Sequence, residues 1–78
     1  MSERLVKVVW LDAYESSAGW HDLEDAKDLQ CPVCLSVGWI IHMDNQRLVI
    51  AADKESSDAS RGRLQALPWG MIMEIENL

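Results

Sequence analysis

The sequence predicts a mostly β fold, a small five-stranded barrel with one short helix between the first and second strands. Three observations predict it. Apolar residues alternate with small or polar ones in several short segments, turn-forming residues separate these segments, and the second segment is too long to stay straight in a 78-residue chain. Closing the sheet would also remove its exposed edges. An open sheet with one helix packed on it is the alternative. We therefore expect a single domain over residues 1–78.

The first strand is predicted over residues 5–14, where β-branched residues dominate. A polar loop follows. A short amphipathic helix is predicted over residues 22–30, with Asp22 as its N-cap and Pro32 ending it. Because such a short helix is unstable alone, we expect it to lie on the sheet. The apolar face of the first strand consists of Val6, Val8 and Trp10.

The second strand, over residues 33–43, has the clearest pattern in the chain. Large apolar residues occupy every other position, which predicts one buried face. A straight strand of this length would span roughly 36 Å, so we expect it to bend, with Gly38 as the place. The predicted buried face consists of Val33, Leu35, Val37, Trp39, Ile41 and Met43.

The remaining strands are predicted over residues 47–52, 62–67 and 71–76. They are separated by an Asp-Asn-Gln turn, by a polar segment over residues 53–60, and by a tight turn at Pro68-Trp69-Gly70. In the last strand the pattern places Met73 and Ile75 inward, and Glu74 and Glu76 outward.

The negative charge is concentrated in one early segment. The net charge is −6 and the sequence pI is about 4.6. Residues 12–28 contain six acids and one base. This segment is either a solvated face or an acidic surface that meets a basic partner, and Asp22, Glu24 and Asp25 are the candidates for such contact. The acidic balance argues against general nucleic-acid binding, since affinity for phosphates comes from clustered lysine and arginine.

Residues 47–63 are slightly basic by contrast. Four cations are predicted to cluster around one hairpin end, where they could hold a phosphate or a carboxylate of a small anionic ligand. A solvated polar loop is the alternative. These cations are Arg47, Lys54, Arg61 and Arg63.

The four tryptophans divide into two pairs. Trp10 and Trp39 are in phase with the predicted buried faces, so we expect both in the core. Trp20 lies in a loop and Trp69 in a turn. Tryptophans in such places either plug the ends of a small barrel or contact a partner, because they offer a large area at low entropic cost.

Cys31 and Cys34 suggest redox or zinc chemistry, but the context favours neither. In a strand, cysteines three residues apart face opposite sides, so they are poorly placed for a disulfide. A zinc site would need His21 and His42 as further ligands. These two histidines do not form the second closely spaced pair that is typical of zinc sites. No nucleophile, phosphate-binding or metalloprotease motif is present. We expect no enzyme, no metal and no cofactor.

The sequence also predicts a cytoplasmic protein. It has no apolar run near the roughly 18 residues that a membrane span needs, and its first residues lack a signal-peptide core. Two cysteines do not make a disulfide framework, which fits a reducing compartment. We expect no membrane association.

Several motifs carry a resemblance. Trp10-Leu11-Asp12, Gly19-Trp20, the segment CLSVGW over residues 34–39, and Leu67-Pro68 before an apolar strand are together similar to small uncharacterised proteins encoded by bacteriophages. The final segment, LPWGMIMEIENL, also resembles the strand–turn–strand end of Sm-like and SH3-like small barrels. Neither resemblance brings a catalytic residue.

The bacteriophage resemblance implies an accessory protein that acts in the host-cell cytoplasm. We expect a non-enzymatic binding module that forms a homo-oligomer and either inhibits a host protein or sequesters a small anionic ligand such as a nucleotide. Trp20, Trp69 and the four cations are its candidate contact residues. The alternative is a structural or assembly protein of the phage with no small ligand.

Overall fold

The computed structural model describes residues 3–78 and confirms a mostly β chain with one short helix. Every predicted strand is present, although β1 ends earlier and β3 runs further than the sequence predicts. A 3₁₀ turn at Trp69–Met71 joins the last two strands. The elements are β1 (Leu5–Leu11), α1 (Leu23–Ala26), β2 (Val33–Met43), β3 (Arg47–Lys54), β4 (Arg61–Pro68) and β5 (Ile72–Asn77).

The five strands form one antiparallel sheet in the order β4-β3-β2-β1-β5. The strands follow one another as a meander except that β5 returns to lie beside β1. The sheet is open, since β4 and β5 are its two outer strands and do not pair with each other within residues 3–78. The closed barrel expected from the sequence is therefore not formed by backbone pairing.

One face of the sheet carries the buried core. Its residues come from β1, β3 and β4, so the core depends on strands distant in the sequence. Partly buried side chains, including Trp10 and Trp69, pack around it. The fully or almost fully buried core consists of Val6, Val8, Leu48, Ile50 and Leu67.

The predicted buried face of β2 was wrong over its first half and at Met43, which is also exposed. The large apolar residues there are exposed, and the small residues Cys34, Ser36 and Gly38 face the core side instead. The cause is Trp10, which lies opposite Cys34 in the register and donates a hydrogen bond from Nε1 to Ser36 Oγ at 3.0 Å. Because the indole fills the space on that face, only small side chains fit beside it.

Gly38 lets two strands approach closely. A Cβ atom at this position would lie 2.7 Å from the carbonyl oxygen of Ala51 on β3, closer than side-chain atoms tolerate. The β2–β3 register shifts a little further along, between Ile40 and His42. The molecule also accommodates the long strand by being elongated, with principal extents of 54, 22 and 20 Å.

The segment between β1 and β2, residues 12–32, is called the tip below, and the five strands are called the body. The predicted helix over residues 22–30 is reduced to the four residues of α1, none of which is buried. All residues from 21 to 30 are exposed. The prediction that the helix lies on the sheet was therefore wrong, and without a packed face the helix stays short.

β5 follows its predicted pattern in part. Glu74 and Glu76 lie outward, opposite Val9 and Lys7 of β1. Met73 was predicted inward but is exposed, because the β1–β5 register shifts at this point. Ile72 takes the inward place opposite Trp10 and packs against the core.

Candidate functional site

Trp69 has a structural place in the body. Its side chain packs against the buried core, and its Nε1 donates a hydrogen bond to the backbone carbonyl of Asp44 at 2.6 Å. This bond ties the 3₁₀ turn to the turn between β2 and β3. Trp69 therefore fits the plugging alternative better than the partner-contact alternative.

Trp39 was predicted to lie in the core, and this prediction was wrong. It pairs with Leu5 and Ala51, on the opposite face of the sheet from Trp10, and it is only partly buried. The Nζ of Lys54 lies 5.2 Å from the centre of its ring. A cation at this distance over an indole is a cation–π contact, so Trp39 holds a surface lysine in place.

Trp20 is the most exposed of the large apolar side chains in the described residues, at 96%. It lines a shallow groove in the tip together with His21, Asp22 and Asp25. The ring of His21 is held by Ser16, whose Oγ lies 2.7 Å from Nε2. The groove thus combines one large apolar surface with two carboxylates.

Within residues 3–78, most carboxylates of the tip have no cation partner. Glu24 forms an ion pair with Lys27 at 2.9 Å. Within residues 3–78, neither Asp22 nor Asp25 forms an ion pair. These three were the predicted acidic partner surface, and the structure brings them together on and beside α1.

The predicted basic cluster is divided and neutralised. Lys54 and Arg61 lie opposite each other at one end of the β3–β4 hairpin, and Arg61 reaches Glu3 at 2.8 Å and Asp58 at 2.9 Å. Lys54 lies 3.8 Å from each of the same two carboxylates. These cations therefore hold the hairpin turn and the first described residue of the chain together.

The other two cations are also paired. Arg63 donates two hydrogen bonds to Asp53, at 2.7 and 3.1 Å, which raise the pKa of Arg63 and lower that of Asp53. Arg47 pairs with Pro68 in the register, at the far end of the hairpin from Lys54, so it lies apart from the other three. Its Nη1 contacts Asp44 at 3.1 Å.

Asp44 organises the turn between β2 and β3. Its carboxylate contacts His42 Nε2 at 2.9 Å and accepts backbone N–H bonds from Gln46 and Arg47 at 2.8 and 3.0 Å. The bond with His42, followed by the two backbone bonds, lowers the pKa of Asp44 to about 2. The predicted Asp-Asn-Gln turn is therefore confirmed, with its aspartate as the acceptor.

The two cysteines are both free thiols. Cys31 is exposed in the tip, and Cys34 is partly buried on the core side of β2. No group of three or more His, Cys, Asp and Glu side chains in the described part of the chain is arranged to hold a metal ion.

Sequence reasoning missed one surface, the outer row of β2, which consists of Val33, Leu35 and Val37. Their exposed fractions are 60%, 66% and 53%. Neighbouring exposed apolar side chains on one face of a strand are typical of a surface that another chain covers. The available signal was the absence of any charged residue from position 29 to position 41.

Comparison with protein-family models, with curated proteins and with solved structures finds no match to the chain. The described residues include no helix that is long and apolar enough to cross a membrane.

Proposed function

We propose that the chain is a non-enzymatic binding module whose tip binds a basic surface of a partner protein. The observation that carries this proposal is Trp20, which is 96% exposed beside the carboxylates of Asp22 and Asp25. A tryptophan left in water has no role in the core. It becomes useful when a partner covers it.

The chemistry of the tip suits a protein ligand with lysine or arginine around an apolar pocket. Trp20 would enter the pocket as an anchor, since tryptophan is enriched among the residues that dominate binding energy. Asp22 and Asp25 would face the partner's cations. Because they have no cation of their own in the described residues, binding would not break an existing ion pair. Their field would also speed association at low salt.

A small anionic ligand is less well supported. Each of the four predicted cations already contacts a carboxylate, as in the pairs Arg63–Asp53 and Arg47–Asp44. A phosphate would have to displace these carboxylates, which are fixed by the same turns that hold the body together. We therefore propose a protein as the partner rather than a nucleotide.

The resemblance to bacteriophage proteins supplies a setting for this proposal. The chain would be an accessory protein in the cytoplasm of the infected cell, and the partner would be a host protein that it inhibits. The strand order with β5 beside β1, and the 3₁₀ turn before β5, support relating the sheet to an opened SH3-like or Sm-like barrel.

The proposal is tested by affinity purification from a host lysate, followed by titration of the purified partner. Trp20→Ala should weaken binding by about 30-fold or more, since truncating an anchor typically costs 2 kcal/mol or more. Its melting temperature should stay unchanged because the side chain buries nothing. Asp25→Lys should weaken binding as well, and the wild-type affinity should fall with added salt.

The matched control is Glu74→Lys, which makes the same change of charge on an exposed strand residue of the body. It should leave binding nearly unchanged. Partner binding that ignores both Trp20→Ala and Asp25→Lys would overturn the proposal. A rise in melting temperature with a micromolar nucleotide, lost on Arg63→Ala, would favour the anionic ligand instead.

A further inference from the structure

The open sheet has a third exposed edge besides β4 and β5. β2 pairs with β1 from Val33 onward, but its pairing with β3 begins only at Trp39, opposite Ala51. Within residues 3–78, no strand pairs with the other side of residues 33–37. The backbone N–H and C=O groups on that side are therefore available to another strand.

This β2 edge, residues 33–37, differs from the other two in its side chains. β4 contains Arg61, Arg63 and Pro68, and β5 contains Glu74 and Glu76. Charges and prolines on an edge strand are what proteins use to prevent pairing with other chains. Residues 33–37 read Val-Cys-Leu-Ser-Val and have neither. The edge that lacks this protection is also the one with the exposed outer row.

We propose that two copies of the chain pair through this edge, antiparallel and about a two-fold axis at Leu35. Leu35 then lies opposite its equivalent in the second copy, and Val33 lies opposite Val37. On the other face, Cys34 lies opposite Ser36. The segment is suited to this register because its pattern is the same in both directions, with valine at each end, a small residue inside each, and leucine at the centre.

Pairing in this register buries the outer row of each copy against the other. The three side chains, which are between 53% and 66% exposed, become cross-strand neighbours of the same three side chains of the second copy. An isologous contact of this kind is closed, so the β2 edges of both copies are used up and no fibre grows through them. If the pairing strand came from a different protein, the far edge of that protein's own sheet would still have to be covered.

Charge favours the antiparallel arrangement. Each copy has a net charge of −6, with most of the excess in residues 12–28 of the tip. Antiparallel pairing directs the two tips to opposite ends, and it places the two Val33 residues about 13 Å apart along the strands. That exceeds the screening length of about 8 Å at physiological salt. Parallel pairing would bring the acidic tips side by side.

The neighbouring residues limit the pairing to five residues. β2 begins at Val33, and the carbonyl of the preceding Pro32 accepts a hydrogen bond from the Asp12 N–H on the β1 side, so Pro32 offers no group to the free edge. At the other end, Gly38 lies against Ala51, where β3 begins to occupy the same side of β2. The edge therefore offers a short, defined site rather than an extended one. The proposal does not depend on the proposed function of the tip.

The first test is sedimentation equilibrium of the full chain over a range of concentrations. The wild-type chain should be a dimer. Leu35→Lys should weaken dimerisation by about 100-fold or more, because it buries an unpaired charge at the centre of the contact. The control is Leu64→Lys on the outer strand β4, where the leucine is 59% exposed but lies away from the β2 edge. It should remain a dimer.

The second test does not depend on whether Leu35→Lys folds. In a Cys31→Ser background, Leu35→Cys places one thiol of each copy on the two-fold axis, within the Cα separation that a disulfide needs. Mild oxidation should cross-link it to a covalent dimer at least tenfold faster than Leu64→Cys. A wild-type monomer at all concentrations, a dimer that Leu35→Lys leaves intact, or equal cross-linking of the two variants would each overturn the proposal.

Discussion

The body and the tip use their residues in opposite ways. In the body, apolar residues such as Val6 and Leu48 are buried, and carboxylates such as Asp44 and Asp53 are paired with cations. In the tip, residues 21–30 are all exposed, and Asp25 has no ion pair within the described residues. The charges of the body thus maintain its turns, whereas in the tip Glu24 pairs with Lys27 and Asp22 and Asp25 have no cation partner within residues 3–78.

The two regions should differ most in how much the free energy of unfolding falls when a leucine side chain is truncated. Leu48→Ala should lower the free energy of unfolding by about 2–5 kcal/mol, because Leu48 is 0% exposed and a cavity would remain. Leu23→Ala makes the same truncation in the tip, where the leucine is 85% exposed. This variant should change the free energy of unfolding by less than about 0.5 kcal/mol. Urea unfolding measures both. Equal losses would show that the tip packs on the body.

A smaller difference is expected for two glycines. Gly38→Ala should lower the free energy of unfolding by about 1–3 kcal/mol, because its new Cβ would lie 2.7 Å from the carbonyl oxygen of Ala51. Gly19→Ala in the tip meets nothing within 4 Å and should be nearly neutral. Thermal unfolding of the two variants compares them directly. A neutral Gly38→Ala would mean that β2 and β3 separate easily at this point.

The smallest expected effect concerns pH. The pKa of Asp44 is lowered from 3.8 to about 2, so its stabilising contribution is complete above 3.8 and is lost as the pH falls through about 2. Asp44→Asn keeps an acceptor for the turn but removes the charge. Its loss of stability relative to wild type should therefore be present at neutral pH and shrink between about pH 4 and pH 2.

The matched variant in the tip is Asp25→Asn, which removes a carboxylate with no ion pair within residues 3–78. Its difference from wild type in urea unfolding at neutral pH should be smaller than that of Asp44→Asn. If Asp44→Asn and Asp25→Asn gave parallel curves, the turn at Asp44 would not be the source of the acid sensitivity.

The sequence predicted the strands well because alternation is a local property. The periods of two, the Asp-Asn-Gln turn and the break at Pro68 each depend on neighbouring residues, and all appear in the structure. The open sheet was not predictable in this way. Whether β4 meets β5 depends on the curvature of the whole sheet, and no short segment specifies that.

The buried face of β2 shows why alternation alone is insufficient. The pattern distinguishes two faces, but which face is buried depends on the strand opposite. Trp10 of β1 occupies the core side, so Cys34 and Ser36 must be small and the outer row is left exposed. Reading the two strands as a pair, with a large residue opposite small ones, would have corrected the prediction.

The exposed residues of the tip could be identified from the sequence, but the ion pairing of the four cations could not. Trp20 and the acids beside it were identified because both tryptophan in a loop and a charge imbalance are visible in composition. The cations appeared free because some of their partners are distant in the sequence, as with Glu3 and Arg61, which are 58 residues apart. The nearer partners, Asp44 and Asp58, reach their cations only through the geometry of the turns. Ion pairs of this kind require the sheet register.

The return of β5 to β1 has a consequence for synthesis. β1 is made first, yet the core that buries Val6 and Val8 also needs Leu67 from β4, and β1 pairs on one side with residues 72–77. Native contacts between such distant residues form slowly. β1 can pair with β2 once β2 has been made, but its other side and its apolar face stay uncovered until β4 and β5 have been translated.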